Sequence, residues 1–312
     1  MSKILLIGKN GQVTRYLQAT FNDEGASYNV EVAGRDQLDL SKLDQIAGAL
    51  EASKPSMIIN PAAYTAVDLA EQEQDAAFTI NRDAVAVIAA YCAKTNTPLI
   101  HFSTDYVFAG DAQTPYLETD VPAPNGVYGQ SKLEGELAIQ ASGAPALILR
   151  TAWVYSNHGK NFYKTMLNLA ESRDELSVVA DQVGAPTYAG SIADATRALV
   201  DLILKQGGLT EKQVGVYHFC CQGQTTWCDF ARAIFVENEV NKMAVNGITT
   251  EQYPTPAQRP AYSVLNLDKL KQTFGISLPH WGTALAHCAS ETCASETCAS
   301  ETFSSESESG AG

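Results

Sequence analysis

A chain of 312 residues, 45% hydrophobic and 8% aromatic, can bury roughly 75% of the surface that its unfolded form exposes, which excludes a disordered or low-complexity protein. Its 21 basic residues stand against 35 acidic ones, and the net charge of -14 excludes a nonspecific grip on nucleic acid or anionic lipid. No nucleic-acid and no membrane partner are therefore expected, and a phosphate-bearing ligand has to meet a local site.

In chain order, the short apolar runs Ile4 to Ile7, Val30 to Ala33, Met57 to Ile59, Leu99 to Phe102 and Ala146 to Leu149 predict buried strands. Between them, Val13 to Phe21, Leu43 to Ala52, Asp75 to Lys94 and Ser131 to Gln140 carry apolar residues at helical intervals. Five βα units imply an α/β fold with a right-handed, doubly wound parallel sheet of the Rossmann type over residues 1–150. After Arg150 the pattern loosens into helices at Phe162 to Glu171, Ile192 to Lys205 and Trp227 to Val236. Residues 151–287 read as a smaller substrate-binding lobe interwoven with the core, facing the cleft outside the strand C-termini.

The end differs in kind. Cys-Ala-Ser-Glu-Thr occurs three times from Cys288 to Thr302, and residues 288–312 hold five glutamates and no base, which leaves residues 1–287 at -9. A five-residue period fits neither helix nor strand, so residues 288–312 are expected to be disordered and exposed. Cys92, Cys220, Cys221 and Cys228 lack zinc spacing and read as reduced thiols, no apolar run approaches ~18 residues, and Met1-Ser2-Lys3 leads directly into a strand. The expectation is a cytoplasmic protein.

Gly8-Lys9-Asn10-Gly11-Gln12-Val13-Thr14 follows the first strand and opens a helix, where backbone amides can approach a pyrophosphate. Alone it could be a plain turn; Thr14, at a position that favours a smaller residue, predicts looser packing of that helix. Arg35 ends the second strand where NAD sites place an acid, and it suits a 2′-phosphate and hence NADPH. The alternative leaves Arg35 in solvent with Asp36 on the ribose. Asp39 and Leu40 would lie near the adenine, and the small residues of Asn60-Pro61-Ala62-Ala63-Tyr64-Thr65 leave room for a nicotinamide ribose.

The strongest signal joins His101-Phe102-Ser103-Thr104-Asp105-Tyr106 to Tyr128-Gly129-Gln130-Ser131-Lys132. Tyr128 and Lys132 share one helix face, and a cation ~4 to 6 Å away lowers a phenol's pKa by ~1 to 3. Lys132 is therefore expected to tune Tyr128 as a proton donor, with the Thr104 hydroxyl holding the reacting oxygen or the phenol in line. Arg259 fits a diphosphate clamp by its charge and fork geometry, or stands on the surface.

These residues resemble the extended short-chain dehydrogenase/reductases and, within them, the dTDP-4-dehydrorhamnose reductases. The resemblance spans residues 3 to about 285. It rests on Gly8 to Gln12, Asn60 to Asp68, Ser103 to Phe108, Tyr128 to Lys132, Arg150-Thr151-Ala152-Trp153-Val154-Tyr155, Asp181 to Thr187 and Pro256-Ala257-Gln258-Arg259-Pro260. It implies hydride transfer from NADPH, with NADH as the alternative, to the C4 keto group of dTDP-4-dehydro-L-rhamnose, giving dTDP-L-rhamnose for cell-envelope polysaccharide.

In this resemblance Tyr128 protonates the nascent alkoxide, Lys132 holds the nicotinamide ribose and Thr104 adjusts the phenol. Residues Asn10 to Gln12, Asp39, Leu40 and Ala63 to Thr65 touch the cofactor, joined by Gly8, Val13, Arg35, Ala62 and Phe102. Thr104, Asp105 and Trp153 touch the sugar nucleotide, although Trp153 also suits a core. Some relatives join subunits through Mg²⁺ held by glutamates; here Arg15 and Tyr188-Ala189-Gly190-Ser191 supply none, so no metal ligand and a monomer or weak homodimer are expected. Two other readings stay open: a non-catalytic nucleotide-binding regulatory subunit, and a nucleotide-sugar epimerase or dehydratase. A dehydratase adds an acidic pair beside the threonine, whereas Thr104-Asp105 offers one carboxylate.

Overall fold

The structure is a computed structural model that describes residues 2–22 and 28–292. Its centre is a six-stranded parallel sheet built from β1 (Ser2–Ile7), β2 (Tyr28–Ala33), β3 (Met57–Asn60), β4 (Leu99–Thr104), β5 (Ala146–Thr151) and β6 (Gly215–His218), in the order β6-β5-β4-β3-β1-β2. Continuous apolar strands such as Ile4 to Ile7 need cover on both faces, and both are covered. On one face pack α1 (Gln12–Phe21) and α6 (Ala189–Gln206), through Leu17, Ile192 and Leu199. On the other pack α2 (Leu43–Ser53), α3 (Gln74–Thr95) and α4 (Val127–Ser142), through Ile46, Leu50, Ile88 and Ile139.

The five strands and four helices expected in the first half are present, and β6 is an addition. Its four residues, Gly-Val-Tyr-His, form too short a run to stand out, yet Tyr217 pairs with Leu149 and the second half thereby completes the sheet. The rest of that half comprises α5 (Phe162–Ala170), α7 (Trp227–Glu237), α8 (Asp268–Phe274) and three two-stranded pairings, one of them Glu175–Val179 beside Ala244–Ile248.

The 22-residue helical run α3 is long and apolar enough, by length and composition, to cross a membrane, with mean hydropathy 1.2. Here its apolar face covers the sheet: Ala84, Val85, Ile88 and Cys92 are all buried.

The boundary expected at 288 is corrected. A helix spans residues 281–292, Cys288 is buried in the main core, and Tyr16 Oη donates to Glu291 Oε2 at 2.9 Å. The run Cys-Ala-Ser-Glu-Thr is read here as the last turns of an amphipathic helix, because Ala284, Leu285, Cys288 and Ala289 repeat at helical spacing and are buried. Cys293, Cys298 and the remainder of the repeats lie outside the described residues.

Candidate active site

The strand order reverses between β1 and β3, which places the ligand crevice beyond their carboxyl ends. Gly8 leaves β1 with φ of 100°, a conformation natural to glycine, and a Cβ on it would lie 3.3 Å from Ala62 Cβ at the end of β3. Gly11 caps α1 without a side-chain partner, so the first amides of that helix stay available to a pyrophosphate. Thr14 is buried, with Oγ1 tucked against Gly8 and Gly11, so the expected loosening is corrected: the hydroxyl fills the turn. Gln12 Oε1 accepts from Ser156 Oγ at 2.9 Å and Asn161 Nδ2 at 2.8 Å, tying α1 to the second half.

Around the adenine end, Arg35 is exposed and Leu40 is buried. Asp39 Oδ1 accepts from Ser41 N at 3.0 Å and Ser41 Oγ at 2.8 Å, and these bonds hold its carboxyl below the usual range. Ala62, Ala63, Tyr64 and Thr65 form the turn after β3. The Tyr64 peptide is clasped by Asn81, whose Oδ1 accepts Tyr64 N at 2.9 Å and whose Nδ2 donates to Tyr64 O at 3.1 Å and Ser131 Oγ at 3.0 Å. Asn81 lies in the π-helical turn Thr79–Asp83 inside α3. Its carbonyl approaches α4 so closely that a Cβ at Gly135 would come within 2.1 Å.

The structure brings Thr104, Tyr128 and Lys132 to one place. α4 packs on the turn after β4 because Gly129 has no Cβ, which would sit 2.2 Å from Tyr106 O. Tyr128 meets Tyr106 edge to face at 5.6 Å, and Thr104 acts on its phenol. Thr104 Oγ1 donates to Asp105 Oδ1 at 3.0 Å and accepts from Tyr106 N at 3.2 Å. Burial pushes the Tyr128 phenol well above its ordinary value, only partly opposed by Thr104, with Asp105 and Tyr106 adding to the rise. Burial likewise pushes the Asp105 carboxyl up to about 6.

Lys132 departs from expectation. Its Nζ donates to Phe102 O at 2.7 Å and lies 3.3 Å from His101 Nε2, and Lys132 is not among the groups that shift the phenol. Burial depresses the Lys132 ammonium to about 8, with Glu136 acting against the fall. One turn along α4, Glu136 pairs with Arg150 Nη2 at 2.6 Å and accepts from Ser103 Oγ at 2.5 Å, a buried network that fixes α4 to β4 and β5.

Trp153 flanks this region with φ of 48° and stacks on Trp227. Arg259 Nη2 donates to Asp68 Oδ2 at 2.7 Å and Nη1 donates to Tyr106 Oη at 3.3 Å, so its fork closes on the protein. Asn81, His101, Glu136 and Trp227 were not singled out as site residues; only contacts between distant segments identify them. Among the described residues no group of three His, Cys, Asp or Glu side chains is placed to hold a metal ion.

Residues 2–293 match the family model described as the RmlD substrate binding domain. The chain is 43% identical over 296 residues to a dTDP-4-dehydrorhamnose reductase of Burkholderia thailandensis, covering 93% of this chain and 98% of that one. The chain belongs to the dTDP-4-dehydrorhamnose reductase family. The Escherichia coli K12 reductase is 42% identical, over 92% of this chain and 97% of its own. A crystal structure of the Bacillus anthracis reductase in complex with NADP superposes with a TM-score of 0.85 at 34% identity, covering 94% and 100% of the two chains. A Brucella ovis UDP-glucose 4-epimerase shares the fold, with a TM-score of 0.75 at 15% identity over 94% and 98%.

Proposed function

We propose that this chain reduces the C4 keto group of dTDP-4-dehydro-L-rhamnose to dTDP-L-rhamnose, with NADPH as the reductant. The observation that carries the reading is the half-buried Tyr128, whose phenol is raised by desolvation and acted on by Thr104, beside the switch-point crevice of a family member. A phenol raised by burial is protonated at neutral pH, as a proton donor to an incipient alkoxide must be.

The glycine turn fits a dinucleotide, since Gly8 approaches Ala62 where a side chain would crowd the crevice and the α1 amides are uncapped. Gly8, Asn10, Gly11, Gln12 and Val13 would hold the pyrophosphate, and Arg35, Asp39 and Leu40 the adenosine half. Ala62 to Thr65, Phe102, Tyr128 and Lys132 would hold the nicotinamide half. When bound, the nicotinamide supplies the hydride. Tyr128 Oη delivers its proton to the substrate oxygen while Thr104 Oγ1, already tied to Asp105, keeps the phenol aligned. Asp105 and Trp153 would contact the sugar nucleotide. Arg259 would reach a diphosphate by exchanging Asp68 for it. The protein works in the cytoplasm as a monomer or weak homodimer; the cytoplasmic reading is supported by the cysteines that are buried and unpaired among the described residues.

Oxidation of NADPH, followed by absorbance with a panel of 4-keto nucleotide sugars, tests this. Stoichiometric consumption with the rhamnose precursor is expected. Retained NAD with product but no net consumption would identify an epimerase, and nucleotide binding without turnover a regulatory subunit.

A further inference from the structure

We propose that His101 is a positioning residue that holds Lys132 as the hydrogen-bond acceptor in a chain of four bonds running from the Ala62 amide to the Phe102 carbonyl. Ala62 N can only donate, so Asn60 Oδ1, 3.2 Å away, is the acceptor. That turns Asn60 Nδ2 toward His101 Nδ1 at 3.2 Å, and an amide nitrogen can only donate. His101 Nδ1 is then unprotonated, so a neutral imidazole carries its proton on Nε2, 3.3 Å from Lys132 Nζ. Lys132 accepts there with its lone pair and donates to Phe102 O at 2.7 Å.

Every link is satisfied only while Lys132 is a neutral amine. A proton on Nζ sets donor against donor at His101. Relief requires His101 to move its proton to Nδ1, which opposes Asn60 and through it the Ala62 amide. Proton uptake by Lys132 is thus coupled to the turn after β3. The charged group facing Lys132 is Glu136 on the same helix, itself bound by Arg150 of β5, and the one facing His101 is Lys132. Burial keeps His101 neutral, and it depresses Lys132 in the sense that the chain requires. The bearing on cofactor binding rests on the reductase reading, whereas the hydrogen-bond order does not.

Nuclear magnetic resonance on the full chain without cofactor tests the order directly, with lysines labelled at Cε and Nζ, the five histidines labelled with ¹⁵N, and Lys132 assigned by Lys132→Met. His101 should carry its proton on Nε2 above the Lys132 midpoint. Asn60→Ala frees His101 to accept from an ammonium, so the Lys132 midpoint should rise from about 8 by about 1 unit or more. His101→Gln, whose Oε1 accepts from Asn60 and whose Nε2 donates to Lys132, should keep the midpoint near wild type. A proton on Nδ1 in the wild type, or an unmoved midpoint in folded Asn60→Ala, overturns the proposal; the wild-type tautomer decides even if that variant does not fold. Neither measurement involves turnover, so the reductase reading stands or falls separately.

Discussion

Trp153 lies flat on Trp227, with ring centroids 3.5 Å apart and planes within 6° of parallel. The indole also lies against Gly184, where a Cβ would come within 2.4 Å of the ring. Between them these neighbours hold Trp153 at φ of 48°, a strained state that costs about 1 to 3 kcal/mol in a residue with a side chain. Strain of this kind is retained where the surroundings enforce it. If the indole forms a wall for the sugar nucleotide, Trp227→Ala should raise KM for that substrate about tenfold and leave kcat within about threefold, because a wall binds ground and transition states alike. Steady-state kinetics decide it, and an unchanged KM would remove Trp153 from the binding surface.

Tyr128→Phe removes the proton and keeps the ring against Tyr106. Turnover should fall by ~10² to 10⁴ while NADPH affinity, measured by fluorescence titration, stays nearly constant. Turnover within threefold of wild type would assign proton donation elsewhere.

How much of this was legible in the sequence varies with the range of the interaction. The strands and helices around Ile4 to Ile7 or Leu43 to Ala52 follow from local periodicity, and the turn at Gly8 from its place between them. Tyr128 and Lys132 lie four residues apart on one helix, yet spacing says nothing about depth: the phenol rises because it is buried, and Lys132 turns to a carbonyl two residues before Thr104. Asn81, His101 and Glu136 act on residues 14 to 50 positions away, so no local pattern marks them. Cys288 was misplaced because a repeat of small polar residues masked a helical register that only a docking surface reveals.

Arg35 stands exposed two residues past β2, with Asp36 exposed beside it. Arg35→Asp should weaken NADPH binding at least tenfold more than NADH binding, since the new carboxylate opposes a 2′-phosphate and accepts from a ribose hydroxyl. Calorimetric titration of both nucleotides measures the ratio; equal losses would mean that the phosphate is read by other residues.

Acid should unfold the protein through its buried histidines. His218 is depressed to about 3 by burial, with Arg150 next in effect, and His101 is also well below the ordinary value. The unfolded chain binds protons near ~6.5 that the folded chain refuses, so stability is complete above that pH and falls as pH drops from ~6.5 toward 3. Asp105, raised to about 6, and Asp194, also raised by burial, act in the opposite sense, while His158 is lowered along with the two buried histidines. Melting temperatures from pH 7 to 4.5 should fall, and His218→Asn should flatten that slope. Identical slopes would place the acid sensitivity elsewhere.

The C-terminal helix predicts a sharp difference between two truncations. Cys288 is fully buried, and burial raises its thiol to about 12, so it should resist labelling in the folded protein. Three residues on, Glu291 Oε2 accepts from Tyr16 Oη at 2.9 Å, and Tyr188 Oη donates to Tyr16 Oη at 2.9 Å, which joins the helix to α1 and to the start of α6. Thr292 Oγ1 lies 3.3 Å from Tyr163 Oη of α5. Ending the chain at His287 removes two buried side chains, Cys288 and Ala289, together worth ~1.5 kcal/mol or more, and takes Glu291 from Tyr16 Oη, which keeps Asn157 Oδ1 at 2.6 Å as its other acceptor. The midpoint of thermal unfolding should therefore fall by about 3 to 6 °C. A chain ending at Thr292 keeps each of these contacts and should melt within about 2 °C of the full chain, with the same NADPH oxidation rate. Equal melting of all three chains would show that the helix adds nothing to the body it covers.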